Sequence, residues 1–397
     1  SYEASKISIP NEYDKLMSAI GANGTNAYTS YDVTCYTEDI PSNQIENWAK
    51  IQADRFQNAT IRGFHTELET VYLEKINTLL FPNHPYGTQT VLGTQEHLKN
   101  PSITNIKNYH KTWYVPNNMA ICLSGDFNPD EMIAIIDKYF GDMQPNPNLP
   151  KLEFPKEKEI TEPIVAEVVG LEAESVFLSW RFPGAGHPDG EKLELLSQIL
   201  FNGTAGLFDL NLIQQQKVLY GLCTPFTMSD YSAFIMYGGP KQGQTLEEVK
   251  DLFFAELKNL REGNFDEGLL EGILNTYKRS QQMQLESNDS RADMFVNSFV
   301  NGTNWADEVG RMERLANITK QDIVDFANKY LNENNCAIIY KRQGVDPNEM
   351  KIDKPQITPI FMNRDTASAF LTEIQQTPVA PIEPKFLDYD KDIVKLQ

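Results

Sequence analysis

The chain is short of basic residues, and it has no long apolar run. Its 397 residues include 35 lysines and arginines against 55 aspartates and glutamates, which gives a net charge of −20. A nucleic-acid partner is not expected, because a phosphate backbone needs a basic surface. No apolar stretch reaches the roughly 18 residues that a membrane-spanning helix requires. The acidic balance is explained most simply by solubility.

Cysteines and histidines are also few. Four widely spaced cysteines in apolar or strand-like contexts favour small buried side chains over a disulfide framework or a zinc ribbon. Among the five histidines, His65 has Glu69 four residues later, and a surface pair is the simpler interpretation of that spacing. The sequence has no Gly-x-Ser-x-Gly nucleophile motif and no Gly-x-x-x-x-Gly-Lys phosphate loop. Serine-hydrolase and phosphate-loop chemistry are therefore not indicated.

A weak repeat with a period near half the chain length is the main architectural signal. Apolar residues recur at three- and four-residue steps over 106–114 and again over 323–331. The runs NNMAI at 117–121 and NNCAI at 334–338 follow these two patterns. Each copy predicts an amphipathic helix, an Asn-Asn turn and a short strand.

The repeat also predicts where these elements begin and end. Ile-Thr pairs precede both helices, and Thr104 and Thr319 suit the N-cap position. The two strands are expected at Met119–Leu123 and Cys336–Tyr340. Two homologous domains follow from the repeat.

Linker composition at 144–150, QPNPNLP, separates the two copies. We expect a first domain at 1–155, a second at 156–345, and an extended, proline-containing connector at 346–397. Such connectors usually lead to further structure, so we also expect more protein after Gln397.

Helices and strands are interleaved along the chain, but several strand pairs are linked too briefly for parallel crossovers. An α+β fold is therefore predicted, in which each domain has a mostly antiparallel sheet with helices packed on one face. The individual predictions are strands at Val33–Thr37 and Val176–Trp180, and helices at Ile45–Phe56 (with Ser42 near its cap), Glu131–Phe140, Lys192–Leu200 and Thr245–Leu260.

Asn26 and Ala27 lie in a stretch of small residues, 21–29, that leads into a predicted strand. Small residues let a second backbone approach closely, and an unpaired sheet edge offers main-chain donors and acceptors in a fixed register. The alternative is an ordinary Gly/Asn turn before a buried strand.

Glu67 and Glu74 are two glutamates that stand seven residues apart. On a helix, residues seven apart project from the same face. Taken alone, two such glutamates usually belong to a solvated surface.

Five motifs together resemble the insulinase/pitrilysin (M16) zinc metallopeptidases. They are NAYTSYD at 26–32, FHTE at 64–67, HPYG at 84–87, WYVPNNM at 113–119 and SGDF at 124–127. The resemblance covers about residues 12–345. It implies the LuxS/MPP-like metallohydrolase fold, with two similar halves.

The resemblance also implies a function: peptide hydrolysis by zinc-activated water, with the substrate bound as an added strand. Glu74 would then be a zinc ligand, Glu67 would orient that ligand, and Asn26 and Ala27 would align the peptide backbone. The implied partners are peptide substrates and a second homologous half, from the same polypeptide or a partner chain. Enzymes of this kind include exported bacterial proteins, so a periplasmic or exported location is a guess from the resemblance alone.

Two departures from the family pattern change these expectations. No His-x-x-Glu-His segment occurs in the 397 residues, so two zinc ligands and the general base are not among them. Zinc needs three convergent protein ligands, and we therefore expect zinc in the intact parent but no catalytic zinc and no hydrolysis in this chain alone. Only six residues separate Glu74 from Phe81, where a longer helical segment is usual. Residues missing from the sequence, or a natural deletion, would explain the difference.

Two other functions stay open. The chain could be a non-catalytic partner or a peptide-binding scaffold that keeps the fold without the metal motif. Glu67 and Glu74 weigh against that reading, because a degenerate site has no physical need for both. An unrelated two-domain protein is the third reading, and the long run around Trp113 weighs against it.

Overall fold

The computed structural model describes residue 9 and residues 11–59, 71–93, 102–345, 366–384 and 386–394. The described N-terminal residues form short helices and one β-hairpin. These elements are α1 (Glu12–Ala19), β1 (Asn23–Thr29), β2 (Thr34–Asp39), α2 (Ile45–Gln57), α3 (Val71–Leu80), α4 (Pro85–Thr88), α5 (Ile103–Trp113) and α6 (Pro129–Phe140). Residues 141–163 form no helix or strand.

A five-stranded sheet organises the rest of the chain. Its strand order is β3-β7-β4-β6-β5, and every neighbouring pair is antiparallel except β3 with β7. The mostly antiparallel α+β fold predicted from the sequence is confirmed. The elements are β3 (Ile164–Gly170), β4 (Ser175–Pro183), α7 (Asp189–Leu200), a π-helical turn (Asp209–Ile213), β5 (Tyr220–Thr227), β6 (Tyr231–Gly239), α8 (Leu246–Arg261), α9 (Glu267–Glu286), α10 (Asn288–Asn301), α11 (Trp305–Val309), α12 (Arg311–Ala316), α13 (Lys320–Tyr330) and β7 (Cys336–Gln343).

Strand β4 is buried on both faces of this sheet. Its alternate residues Leu178 and Trp180 join a core with helices of the same part of the chain, whereas Phe177 points into a second core with Ile76 and Leu80 of α3. Strand residues alternate between the faces of a sheet, so one strand supplies both cores. Each large apolar side chain buried in this way contributes about 1.5–3 kcal/mol. The α3–α4 segment is thereby fixed against the sheet.

The two repeat helices are present, but only one repeat strand is. Helix α13 is capped by Thr319, whose hydroxyl accepts from the backbone N–H of Asp322, as predicted. Helix α5 is instead capped by Ser102, which accepts from Asn105 at 3.3 Å, so the Thr104 prediction is wrong. Serine is an equally good cap and stands two residues earlier, so the helix begins sooner.

The strand expected at Met119–Leu123 does not form, although the one at Cys336–Tyr340 does. Strand β7 is hydrogen-bonded on one side to β3 and on the other to β4. Residues 119–123 have no such neighbour among the described strands. An apolar run becomes a strand only where a partner satisfies its backbone groups.

Most other predicted elements are found within a few residues of the expected bounds. Ser42 lies near the start of α2 as predicted, in a preceding 3₁₀ turn, while the N-cap itself is Gln44, which forms no side-chain capping bond. All four cysteines are free, as expected. Cys223 and Cys336 are buried, whereas Cys35 and Cys122 are half-buried.

The segment expected to be an extended connector contains a helix, α14 (Ala369–Gln376). Ser368 caps it by accepting from the N–H of Leu371 at 2.9 Å. Leu371 and Ile374 are buried in a small core with Leu16 and Met17 of α1. The prolines of this segment lie outside 369–376, so an apolar face at helical spacing could form and dock.

Candidate functional site

The hairpin β1–β2 presents an open sheet edge. It forms a two-stranded antiparallel sheet, and no described strand pairs with the other side of β1. All seven residues of β1 are exposed, including the aromatic side chain of Tyr28. The predicted alternative, a turn before a buried strand, does not match this exposure. An exposed edge of this kind is a template for pairing with an extended chain.

The register of the hairpin decides which backbone groups point to the open side. The N–H of Ser30 donates to the carbonyl of Val33 at 2.8 Å, which makes these two residues a hydrogen-bonded pair at the turn. Hydrogen-bonded and non-hydrogen-bonded pairs alternate along an antiparallel ladder. The partners Tyr28 and Cys35 are therefore hydrogen-bonded, whereas Ala27 and Thr29 direct their N–H and C=O groups outward.

Asn26 lies beside the first of these outward-facing residues. Its Oδ1 accepts a hydrogen bond from the backbone N–H of Ala27 at 2.8 Å. A register shift separates Asn26 from Asn23, and Gly24 between them has a φ of +61°. The regular edge of β1 is thus limited to the stretch that begins at Asn26.

The tip of the hairpin is tied to α3 and α4. The side-chain amide of Asn77 donates to the hydroxyl of Tyr31 at 3.1 Å, and Tyr31 and Tyr86 meet edge to face with ring centroids 5.4 Å apart. The hydroxyl of Tyr86 donates to Asp32 Oδ1 at 2.5 Å. These contacts fix the direction in which β1 leaves the helices.

Glu74 lies on α3 one turn before Asn77 and is half-buried. The hydroxyl of Thr78 donates to the main-chain carbonyl of Glu74 at 2.8 Å, an ordinary contact within a helix. The hydrogen bond between Asn77 and Tyr31 therefore links the helix that carries Glu74 to the end of the hairpin strand β1. Glu67, the other predicted carboxylate, lies outside the described residues.

The residues that the structure describes do not fit a zinc site. Among them, no three His, Cys, Asp or Glu side chains are grouped as metal ligands would be. His84 is buried and bonds through Nε2 to Asp230, His187 lies 3.8 Å from Asp189, and His110 stacks on Tyr114. Burial lowers the pKa of His110. His65 and His97 lie outside the described residues.

A polar cluster around Tyr86 was not predicted from the sequence. The Tyr86 hydroxyl accepts from the N–H of Asp230 at 3.1 Å, and Asp32 Oδ2 accepts from the N–H of Ser229 at 2.9 Å. Nδ1 of His84 accepts from the N–H of Tyr86 at 3.2 Å, so Nε2 is the nitrogen that donates to Asp230. Burial, and then the hydrogen bond to Asp32, raises the pKa of Tyr86.

The Tyr86 cluster joins the β1–β2 tip, the α3–α4 segment and the β5–β6 turn. Asp32 and Ser229 are 197 residues apart in sequence. No local sequence pattern could have connected them. The HPYG motif at 84–87 indicated that this segment matters, but it did not indicate that Tyr86 would contact Asp32 and Asp230.

No helix in the described parts of the chain is long and apolar enough to cross a membrane.

Comparison with known proteins gives a consistent set of relatives. Residues 102–277 match the sequence model of the "Peptidase M16 inactive domain". The zinc protease PqqE of Helicobacter pylori is 21% identical over 367 residues, which cover 86% of this chain and 81% of that protein. The crystal structure of a protease from Helicobacter pylori superposes with a TM-score of 0.73 at 20% identity and covers 83% of this chain and 84% of that one. The periplasmic protease PqqL of Escherichia coli has a TM-score of 0.67 at 14% identity, with 95% of this chain matched to 45% of that one.

Proposed function

Since residues 102–277 match the M16 inactive domain and the chain is similar to M16 peptidases over most of its length, we propose that it captures extended peptides on the open edge of β1. The peptide adds as a further strand beside β1. Relatives of this chain are named zinc proteases, so the capture serves peptide-bond hydrolysis in an assembled zinc metalloendopeptidase.

The observation that carries the proposal is the register of the hairpin. Ala27 and Thr29 direct their backbone groups to the open side, two residues apart, which is the spacing that an added strand needs. Ala27, one of the two predicted substrate residues, begins this stretch, and Asn26, the other, directly precedes it. The bonds from Asn77 and Tyr86 hold the edge in one orientation, so little ordering free energy is lost when a peptide binds.

Hydrolysis in this proposal requires zinc ligands other than those described. Glu74 is proposed as a zinc ligand, as the resemblance to M16 peptidases implies, and Glu67 is proposed to orient its carboxylate. One carboxylate does not hold Zn²⁺, so histidines from outside these 397 residues would complete the centre. The E. coli protease is about twice as long as its matched part, which supports a second homologous half as the partner.

A non-catalytic role is the second candidate. The matched domain carries the family description "inactive", and the sequence has no His-x-x-Glu-His segment. In this role the same β1 edge binds peptides in a partner or scaffold subunit, and no bond is cleaved. The domain limits 1–155, 156–345 and 346–397 are part of both proposals.

The test of capture is a backbone N-methyl scan. A fluorescein-labelled ten-residue peptide of alternating valine and threonine, with lysine at both ends, is titrated with the chain by fluorescence anisotropy. Each peptide N–H is then methylated in turn. Strand addition predicts a loss of affinity at every second position, because only alternate N–H groups face β1. Equal effects at all positions, or none, would contradict it.

A second experiment separates the two candidates. Cleavage of a quenched peptide by the full-length protein is compared with cleavage by its Glu74→Gln variant, and binding is measured for both. A peptidase loses cleavage in Glu74→Gln and keeps peptide binding. If neither protein cleaves and both bind, the scaffold role is supported instead.

A further inference from the structure

We propose that the side chain of Asn26 competes with the incoming peptide for one backbone N–H of the β1 edge. It occupies the backbone donor of Ala27 in the free protein and must swing away before a peptide can pair there. The inference rests on the proposed function, because it assigns a step to peptide capture at the same edge. It makes Asn26 a positioning residue that sets the rate of strand addition.

The geometry of Ala27 carries this inference. Its N–H faces the open side of β1 by register, and it is bonded to Oδ1 of Asn26 at 2.8 Å. A peptide carbonyl needs that same N–H, and one amide hydrogen cannot serve both acceptors at full strength. The side chain of Asn26 is exposed, so it is free of packing that would hold it in place.

The bond also has a physical purpose in the free protein. An exposed edge with unpaired donors pairs readily with other chains. A short polar side chain that bonds to its own backbone offers an alternative to the sheet ladder. Asn26 therefore protects the edge from unspecific pairing and yields to a peptide that can bond to Ala27 and Thr29 together.

The chain offers a matched bond for comparison. Oδ1 of Asn23 accepts from the N–H of Gly24 at 3.0 Å, the same side-chain-to-next-residue arrangement. Gly24 has a φ of +61° and lies in the register shift, where no straight peptide strand can follow. Substitutions at Asn23 thus change the same chemistry at a position that does not receive the peptide.

The experiment measures association and dissociation rates of the labelled valine–threonine peptide by stopped flow. Asn26→Ala is expected to raise the association rate about two- to tenfold and to leave dissociation unchanged, because a typical net hydrogen bond no longer competes. Asn26→Asp should slow association about two- to fivefold, since a charged acceptor holds the N–H more strongly. Asn23→Ala and Asn23→Asp are the controls and should match the unmodified chain.

Amide hydrogen exchange gives a readout that needs no peptide. Exchange of the Ala27 N–H, followed by NMR, should be faster in Asn26→Ala than in the unmodified chain. Slower association or weaker binding by Asn26→Ala would mean that Asn26 contacts the peptide directly, and it overturns the inference while peptide capture stands. If neither protein binds any peptide, the proposed function falls and this inference with it.

Discussion

The side-chain amide of Asn77 donates a hydrogen bond to the hydroxyl of Tyr31 across 3.1 Å. Asn77 is 4% exposed and lies one turn after Glu74, whereas Tyr31 follows the open strand β1 by two residues. This one bond therefore connects the two parts of the candidate site. If it is lost, the helix and the strand are no longer held in a fixed relation at this point.

Removing the hydroxyl in Tyr31→Phe should weaken peptide capture and lower the free energy of unfolding by about 1–3 kcal/mol. The buried amide of Asn77 would lose its acceptor while the aromatic contact with Tyr86 persists. Urea unfolding and peptide titration measure the two effects. Tyr109→Phe is the matched control, because Tyr109 is 61% exposed and should change neither quantity. Equal results for the two variants would contradict the coupling.

Tyr86→Phe should lower the free energy of unfolding by about 1.5–3 kcal/mol near pH 8, because the lost hydrogen bond is made to the carboxylate of Asp32. The pKa of Tyr86 is raised in the folded chain, so its stabilising effect is complete below the unfolded tyrosine pKa, about 10, and declines as the pH rises above it. Above about pH 10 the unmodified chain should lose up to about 1.4 kcal/mol per pH unit through this residue. The phenylalanine variant should not.

The check is a series of urea unfolding curves for both proteins between about pH 8 and pH 11. Other tyrosines titrate in both proteins, so the difference between the two curves isolates Tyr86. A difference that stays constant across this range would show that Tyr86 is not held in its protonated form.

Leu371→Ala should detach helix α14 from α1. Leu371 is 3% exposed and packs with Leu16 and Met17, and truncations of such buried leucines cost about 2–5 kcal/mol. Hydrogen exchange by mass spectrometry should show lost protection in both helices. Gln376→Ala, on the exposed side of the same helix away from Leu371 and Ile374, is the control. Unchanged protection in Leu371→Ala would refute the docking of α14.

The chain by itself should retain no stoichiometric zinc after equilibration with the metal and dialysis. The reason is the ligand count, because Glu74 is one carboxylate and the sequence has no His-x-x-Glu-His segment. Elemental analysis of the unmodified chain and of Glu74→Gln should give the same low zinc content. One equivalent of zinc held at nanomolar affinity, and lost in Glu74→Gln, would overturn this prediction.

Much of the second half of the chain could be predicted from sequence. The helix predicted at Thr245–Leu260 is α8, which begins with a capping box of Thr245 and Glu248, and Thr319, predicted as a cap, caps α13. Such signals are local, because a cap needs only a side chain and an N–H three residues away. The strand at Cys336–Tyr340 was also found, since its apolar run matched a buried strand.

Two errors fall where a local pattern needed a distant partner. Residues 117–121 have the same Asn-Asn-x-Ala-Ile signal as 334–338, yet no described strand lies beside residues 119–123 to complete a ladder. The helix at 369–376 was missed because surrounding prolines dominated the composition, whereas its stability comes from docking on α1.

The sequence by itself indicated the resemblance to M16 peptidases, the α+β class and which residues were candidates, because these depend on residue types at fixed spacings. Only the tertiary structure decided that Ala27 and Thr29 face the open edge, that Asn26 covers the first of them, and that Asn77 and Tyr31 join this edge to the helix of Glu74. Register and long-range hydrogen bonds depend on which segments meet after folding. That information lies in the packing of the whole chain and not in any short stretch of it.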